Sequence, residues 1–225
     1  GLDSGTLTGL EEYASRMTGE QKEIIYLFGR NREAIEAGPY LEALTARNLE
    51  VLILTEPVDE YVMQTLGEFD GKKLVSGDSE DLKLEKLDDE PEGKRLNKKD
   101  TKSLCKWLKE SLDDRVSDVE EGERLIDSPV CVVGGDAMGG PSARRMMKMM
   151  QGADSNLPAP AVKLQINLRH SIIRGLSELR DTNADTASLV AHQLLDNALA
   201  SADLLEDPRE MISRSFQALE KLTAT

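Results

Sequence analysis

The first candidate for chemistry is a glycine-rich run, Gly134 to Gly140, which follows an apolar segment and precedes a predicted helix. A loop that cradles nucleotide phosphates has this position, but it needs a Lys and a Ser or Thr directly after its second conserved glycine. Pro141 follows the run instead, and the dinucleotide-binding spacing is not in register. Two interpretations stay open: the nucleotide-binding loop of a small α/β enzyme, and a flexible hinge in which glycine frees the backbone.

The second candidate is a concentration of methionines on the helix predicted from Pro141 to Gln151 and in the loop before it. Five of the chain's eight methionines lie here, namely Met138, Met146, Met147, Met149 and Met150. Methionine side chains are flexible and polarisable, so they adapt to many apolar partners. Those on the helix cover too much of its circumference for one core-facing stripe. We therefore hypothesise that part of this face is an exposed binding surface; burial of the methionines in the core is the alternative.

Residues for acid–base, nucleophilic or metal chemistry are sparse. His170 and His192 are the only histidines, and neither has a close Cys or His that would complete a zinc site. We interpret the first as a helix cap or packing residue and the second as a helix-surface residue. Cys105 and Cys131 are the only cysteines, which is typical of a reducing compartment and implies no disulfide framework. The sequence thus predicts no catalytic residue, no cofactor-binding residue and no metal ligand.

The charge of the chain limits its partners. The 225 residues carry a formal net charge of -14, whereas a general nucleic-acid binder needs basic surface to displace counterions. The same charge disfavours an anionic membrane, and the sequence has no apolar run long enough to span a bilayer. We therefore expect neither a nucleic acid nor a membrane as partner.

The C-terminal stretch from Thr186 to Leu222 predicts two amphipathic helices. The break between them contains Asp207, which suits an N-cap, and Pro208, which suits the first helical position. Two such helices packed only on each other leave apolar surface in water, and a second copy of the chain would cover it as a four-helix bundle. The residues predicted for this dimer interface are Leu194, Leu195, Ala198, Ile212, Phe216 and Leu219. Packing against the rest of the same chain is the alternative.

The elements before this pair divide into two units. Nearly continuous apolar segments predict buried strands at Glu23–Phe28, Glu50–Leu54 and Lys73–Ser76, and helices are predicted between them, the last from Val58 to Phe69. This alternation indicates a small α/β layer with a mainly parallel sheet, flanked by helices, over residues 1–76. Residues 77–99 are dense in Asp, Glu and Lys, and we interpret them as a charged, solvated linker.

Residues 100–225 predict an α+β unit that ends in the helix pair. Its predicted strands are Val116–Val119, Val130–Val133 and Lys163–Asn167, and its other helices are Lys102–Leu112 and Ile172–Leu179. These patterns alone indicate an interaction protein of two domains, for which a dimer and a monomer with both terminal helices packed on its own chain stay open. A passive dimerisation scaffold, in which the methionines are buried core, stays open beside it.

Five segments along the chain carry a family resemblance. They are Leu10-Glu11-Glu12-Tyr13 with Ser15-Arg16-Met17; Glu56-Pro57-Val58-Asp59-Glu60-Tyr61 with Leu66 and Glu68-Phe69-Asp70-Gly71-Lys72; Arg124-Leu125 with Asp127-Ser128-Pro129 and Cys131 to Val133; His170-Ser171-Ile172-Ile173; and Leu205-Glu206-Asp207-Pro208. In this order they resemble the Hsp90 chaperone family, and its bacterial HtpG branch in particular. Five separate segments in order are far more specific than any single motif.

The resemblance implies a fold and a function. It places residues up to about 76 late in the family's middle domain and residues from about 100 in its C-terminal domain, where the last helices of two protomers dimerise. It also implies that the Met-rich stretch, with Arg145-Met146-Met147-Lys148, is the family's client-contacting helix. The expected function is therefore homodimerisation and the binding of unfolded or partly folded client proteins, in the cytoplasm of a bacterium.

The resemblance also implies what this stretch of chain lacks. The family hydrolyses ATP, with magnesium, in an N-terminal domain whose motifs are nowhere in the sequence. We therefore expect a fragment that neither binds nor hydrolyses ATP, whereas the parent protein would. The chain ends Leu222-Thr223-Ala224-Thr225, without the acidic tail to which tetratricopeptide cochaperones dock. This ending favours a bacterial protein or an organelle paralogue, and we expect no such cochaperone as partner.

Overall fold

The computed structural model describes residues 6–17, 21–85, 87, 94–134, 141–142, 144–145, 161–205 and 207–223. Its first elements are α1 (Leu10–Arg16), β1 (Ile24–Phe28), α2 (Arg32–Glu36), α3 (Pro39–Thr45), β2 (Leu52–Leu54), α4 (Pro57–Leu66), β3 (Glu68–Phe69) and β4 (Lys72–Ser76). After the charged stretch follow α5 (Lys98–Leu112), a 3-10 helix (Asp113–Arg115), β5 (Val116–Glu121), β6 (Val130–Val133), β7 (Val162–Ile166), α6 (Ser171–Thr182), α7 (Ala184–Ser201) and α8 (Pro208–Thr223). Residues 141–142 and 144–145 are also helical.

The first sheet has the strand order β2-β1-β4-β3. β1 lies inside it and pairs in parallel with both β2 and β4. Successive side chains of a strand point to opposite faces, so Ile25 and Leu27 enter one apolar cluster while Ile24 and Tyr26 enter another. The three strands predicted from the sequence are therefore present, parallel and covered on both faces.

The fourth strand of this sheet is a departure from the prediction. The sequence pattern predicts a helix as far as Phe69, but α4 ends at Leu66 because Gly67 takes a φ of 64°, a left-handed conformation that suits glycine. Asp70 and Gly71 then form the turn between β3 and β4, with φ of 49° and 72°. Two-residue hairpin turns require this combination. The Asp-Gly pair predicts this hairpin, but the helical spacing of the apolar residues before it favours a helix as far as Phe69.

The second sheet has the order β5-β7-β6, in which β5 and β7 are parallel and β6 and β7 are antiparallel. β6 is buried along its whole length. α5 packs on β5, and α7 packs on β6. The three predicted strands are present, with ends within one or two residues of the prediction.

One apolar cluster runs through both predicted units. It joins Leu27 of β1 to Leu108 of α5 and Val132 of β6. Leu82 belongs to the same cluster, and Asp78, four positions earlier in the chain, is also buried. The expectation of a solvated linker is therefore wrong for these two residues. Most residues of the stretch are charged, so its composition does not indicate which few of them are buried. The domain boundaries themselves stay predictions.

Polar contacts also join the two units. The carboxylate of Glu42 in α3 accepts hydrogen bonds from the backbone N–H groups of residues 126–128, at 2.6 Å for the shortest. The hydroxyl of Tyr40 donates to the carbonyl of Val132 at 2.6 Å. Each contact satisfies backbone groups of the second unit with a side chain of the first.

A buried hydroxyl fastens α1 to the first sheet. Tyr13 is fully buried, and its hydroxyl donates to the carbonyl of Glu50 at 2.5 Å. The same oxygen accepts from the side-chain amide of Gln21 at 2.7 Å and from the backbone N–H of Ile25 at 3.1 Å. This hydroxyl is thus the polar partner of two different backbone segments.

We expect Tyr13→Phe to lower the free energy of unfolding by about 1–3 kcal/mol, because the Ile25 N–H and the Glu50 carbonyl lose a buried partner. Urea unfolding followed by far-UV circular dichroism measures this change. Tyr61→Phe is the matched control, since Tyr61 is 49% exposed and its hydroxyl can bond to water. Equal unfolding midpoints for the two variants would contradict the assigned role of the Tyr13 hydroxyl.

Candidate interaction site

α4 exposes apolar side chains and buries a carboxylate. Val58, Tyr61, Val62 and Leu66 are 57%, 49%, 46% and 45% exposed, whereas Glu60 is 4% exposed. A surface helix normally has the opposite arrangement, with its apolar stripe facing the core. The four apolar residues share one face, because positions three and four apart are neighbours on a helix. α4 therefore presents an apolar face to solvent.

A buried arginine holds α4 by this carboxylate. One terminal nitrogen of Arg145 lies 2.7 Å from Oε1 of Glu60 and 2.8 Å from Oδ2 of Asp78. The hydroxyl of Ser142 donates to Oε1 of Glu60 at 2.5 Å, and Gln64 of α4 donates to that hydroxyl at 2.7 Å. All three charged side chains are buried. We refer to Arg145, Glu60 and Asp78 as the Arg145 cluster.

Arg145 also reaches the ends of α7 and β1. Its other terminal nitrogen donates to the carbonyl of Ala202 at 2.8 Å, and its guanidinium lies 5.5 Å from the centre of the Phe28 ring, within cation–π distance. Burial by itself lowers the pKa of Arg145, but Asp78 and Glu60 together raise that pKa above its ordinary value. The guanidinium is therefore charged, and it connects α4, β1, Asp78 and the residue after α7.

α8 shows the same reversal of faces as α4. Ile212, Phe216 and Leu219 are exposed, Phe216 to 62%, whereas Met211 and Ala218 are half-buried. All residues of α8 are described, and none of them is fully buried. The three exposed residues are spaced by four and then three positions, as in the apolar seam between two packed helices.

A second buried carboxylate holds α8 on α7. Oδ2 of Asp196 lies 2.7 Å from Nε and 2.6 Å from a terminal nitrogen of Arg214, and Oδ1 accepts from Arg115 at 2.5 Å. Asp196 is fully buried. Burial, followed by the charges of Arg115 and Arg214, lowers the pKa of the neighbouring His192 and so favours its neutral imidazole. We refer to Asp196, Arg115 and Arg214 as the Asp196 cluster.

The six residues predicted for the dimer interface fall into two groups. Those on α7, Leu194, Leu195 and Ala198, are buried in the core of this chain, because α7 packs on β6 and α6. The three on α8 are exposed. The interface itself stays a prediction, and only its α8 half faces solvent in this chain.

The Met-rich stretch and most of the glycine-rich run lie outside the described residues. This applies to Met138, Met146, Met147, Met149 and Met150, and to Gly135 through Gly140. The client-binding face, the buried-methionine alternative and the phosphate-loop alternative therefore stay untested. Arg144 and Arg145, which directly precede Met146 in the sequence, are described and buried.

The residues considered for catalysis have structural surroundings. His170 is the N-cap of α6, and its side chain accepts from the N–H of Ile172 at 3.1 Å, which confirms the capping interpretation. Burial raises the pKa of Cys105 to about 11 and that of Cys131 to about 12, so neither thiol is ionised near neutral pH.

The described residues also lack the features of two other classes of site, a metal centre and a membrane span. Within the ranges that the structure describes, no group of three or more His, Cys, Asp or Glu side chains could hold a metal ion. None of the described helices combines the length and the apolar character that a bilayer crossing requires.

The two ion clusters could not be predicted from the sequence. Glu60 and Arg145 are 85 positions apart, and Arg115 and Asp196 are 81 positions apart. Because the partners are so distant in the sequence, each residue looks like an ordinary charged surface residue. The amphipathic pattern of a helix separates its two faces, but a pattern does not say which face is buried. Here the charged face is the buried one.

Two described helices of this chain thus expose apolar faces, a kind of surface that is typical of protein–protein interaction sites. A family model described as Hsp90 protein matches residues 2–224. The chaperone protein HtpG of Desulfotalea psychrophila is 36% identical over 223 residues, and that of Desulfitobacterium hafniense is 38% identical over 218 residues. The mitochondrial heat shock protein 75 kDa of Bos taurus is 38% identical over 228 residues. The chain therefore belongs to the Hsp90 family, which confirms the resemblance found in the sequence.

The chain corresponds to one part of these relatives. The three alignments cover 96%, 96% and 98% of this chain but only 36%, 35% and 32% of the respective relatives. The chain thus spans about a third of the length of the curated relatives it matches.

We expect Arg145→Met to lower the free energy of unfolding by about 3–5 kcal/mol, because it leaves the carboxylates of Glu60 and Asp78 buried without a cation. Urea unfolding of the 225-residue chain measures the change. Arg30→Met is the control, since Arg30 is largely exposed and its pair with Asp203 should contribute less than about 1 kcal/mol. Similar losses for the two variants would show that the Arg145 cluster has no special role.

Proposed function

We propose that this chain provides the dimerisation and client-binding part of an Hsp90-type chaperone. The observation that carries the proposal is that α4 and α8 both turn their apolar faces to solvent. Contiguous apolar surface that stays exposed on a well-packed chain is typical of a binding surface. Membership of the Hsp90 family supports the proposal, since the relatives bear the names of chaperone and heat shock proteins.

For α8 we propose a second copy of the chain as partner. Ile212, Phe216 and Leu219 form a stripe with the spacing of a helix–helix seam. A two-fold axis brings the same stripe of two copies together, so each copy covers the other. The proposal keeps the α8 half of the predicted interface and assigns the α7 half to the core of each protomer.

We expect Phe216→Asp to weaken the dimer more than about 100-fold, because it places a charge without a partner in the middle of the apolar seam. Sedimentation equilibrium over a wide range of concentrations measures the mass. Gln217→Asp adds the same charge at the exposed neighbouring position, outside the stripe, and should keep the dimeric mass.

Two results would overturn the proposal for α8. One is a dimeric mass for Phe216→Asp at the concentrations where the unchanged chain is a dimer. The other is a monomeric mass for the unchanged chain at every concentration.

For α4 we propose unfolded or partly folded client proteins as partners, together with the Met-rich stretch. α4 contacts the helical residues that lead into that stretch, through the hydrogen bond from Gln64 to Ser142. Unfolded chains offer the apolar side chains that complement such a surface. A dimer carries two copies of the surface, so weak contacts to one client add through effective concentration.

We expect the double variant Val62→Ser with Leu66→Ser to weaken client binding about tenfold, because it removes apolar area from the α4 face. The probe is a fluorescently labelled polypeptide that reduction and carboxymethylation keep unfolded, and its anisotropy measures the dissociation constant. Met146→Ser with Met149→Ser should act in the same direction. Both variants should keep the mass and the unfolding midpoint of the unchanged chain.

The control for this experiment is a second pair of exposed apolar residues that do not belong to α4. Leu7→Ser with Ile172→Ser removes more exposed apolar area than the α4 variant, since Leu7 is 95% exposed, and should leave the affinity for the unfolded probe unchanged. If the control weakened binding as much as the α4 variant, the chain would bind clients through general stickiness. If neither the α4 variant nor the methionine variant changed the affinity, client binding at this site would be wrong.

We propose that ATP and magnesium bind to the longer parent protein and not to this chain. Because the chain spans about a third of the length of its relatives, we propose that nucleotide binding and hydrolysis belong to the remainder of the parent protein. We propose no catalytic role, nucleic-acid partner, membrane partner or tetratricopeptide cochaperone for this chain. The bacterial cytoplasm stays the proposed location, although one of the relatives is named as mitochondrial.

A further inference from the structure

We propose that Arg214 is a positioning residue that fixes the rotation of α8, so that the apolar stripe of this helix points away from its own chain. This inference rests on the dimer proposed above. It assigns to the Asp196 cluster a task beyond the stability of one protomer, namely to keep the dimerisation surface available.

The packing of α8 provides little apolar force of its own. The helix packs on α7, yet it has no fully buried residue although all of its positions are described. Its half-buried face consists of Met211, Arg214, Ser215 and Ala218. Burial of apolar area alone would favour the opposite rotation, with the stripe of larger apolar residues turned inward.

The Asp196 cluster determines which side of α8 faces α7. Nε and a terminal nitrogen of Arg214 lie 2.7 Å and 2.6 Å from Oδ2 of Asp196. Asp196 is fully buried, so its carboxylate cannot follow Arg214 into solvent without a large loss of hydrogen bonding. Charge-assisted bonds of this geometry are strong and directional.

The geometry of the helix links the contact between Arg214 and Asp196 to the exposure of the apolar stripe. A helix turns about 100° per residue, so Phe216 and Ile212, each two positions from Arg214, lie on the side opposite to it. While Arg214 points to Asp196, these two residues must point outward. A second polar contact, from Lys221 to Thr186 at 3.1 Å, acts in the same direction near the other end of α8.

The cluster also makes a selective experiment feasible. Arg115 occupies the other oxygen of Asp196 at 2.5 Å, so Asp196 keeps a cation when Arg214 is replaced. Replacing Asp196 itself would instead leave two arginines without their carboxylate and would threaten folding. Arg214 is therefore the member whose removal tests orientation and not the integrity of the core.

We expect Arg214→Gln to weaken the dimer about tenfold or more, which corresponds to about 1.4 kcal/mol, because α8 can then rotate its stripe toward its own chain. Sedimentation equilibrium measures the dissociation constant, and thermal unfolding at a concentration where the chain is monomeric should still give one cooperative transition, at a somewhat lower midpoint because two bonds to Asp196 are lost. Arg214→Lys should restore part of the affinity, since it returns the charge without the two-nitrogen contact. Arg209→Gln is the matched control, because it removes one cation from the same helix where the pair with Asp207 is exposed, and it should leave the dimer unchanged.

The outcomes separate this inference from the function on which it rests. If the unchanged chain is a dimer and Phe216→Asp is a monomer, the α8 surface is established whatever Arg214 does. An unchanged dissociation constant for Arg214→Gln in that setting would overturn the positioning role alone. An equal loss for Arg209→Gln would also overturn it, because general charge would then explain the effect. A chain that is monomeric throughout would remove the dimer and this inference together.

Discussion

The guanidinium of Arg145 is the contact on which the arrangement of the described elements most depends. It pairs with Glu60 of α4 and with Asp78, and it donates to the carbonyl of Ala202 just after α7. The hydroxyl of Ser142 donates to Glu60, and the hydroxyl of Ser76 donates to Asp78. Both carboxylates that pair with Arg145 thus accept further hydrogen bonds. A buried charge with its full set of partners is tolerated, whereas the same group with one partner removed is strongly unfavourable. The cluster therefore holds four segments of the chain in one arrangement.

The same principle explains why two helices of this chain expose the residues that most helices bury. In α4 and in α8, a charged side chain on one face pairs with a buried counter-charge, and the apolar residues two positions away lie on the opposite face. Full burial of a Val, Leu or Phe side chain contributes about 1.5–3 kcal/mol, and the half-exposed residues of these two faces forgo part of it. That free energy is recovered only when another molecule covers the face. An arrangement of this kind is stable as a protomer and still favours association.

Local patterns in the sequence predict most of the elements but not the orientation of these two helices. The apolar runs of β1, β2 and β4 predict the parallel part of the first sheet, because a strand buried on both faces has little other explanation. The five segments that resemble the Hsp90 family predict its membership correctly. By contrast, the predicted interface on α7 contains Leu194 and Leu195, which the structure buries, because an apolar stripe does not identify what covers it. The partners of Glu60 and Asp196 lie 85 and 18 or more positions away, and no local pattern connects them.

In α4 and in α8, the residues that attach the helix to its own chain and the exposed apolar residues lie on opposite sides. This arrangement has a consequence for the evolution of such chains. Val58, Val62 and Phe216 take little part in holding their own protomer together, so selection on folding acts on them only weakly. Substitutions at these positions change the surface that α4 and α8 offer, while Glu60 and Arg214 keep both helices in place. Selection on the proposed binding function can therefore change these faces by single substitutions that leave the stability of the protomer nearly unchanged.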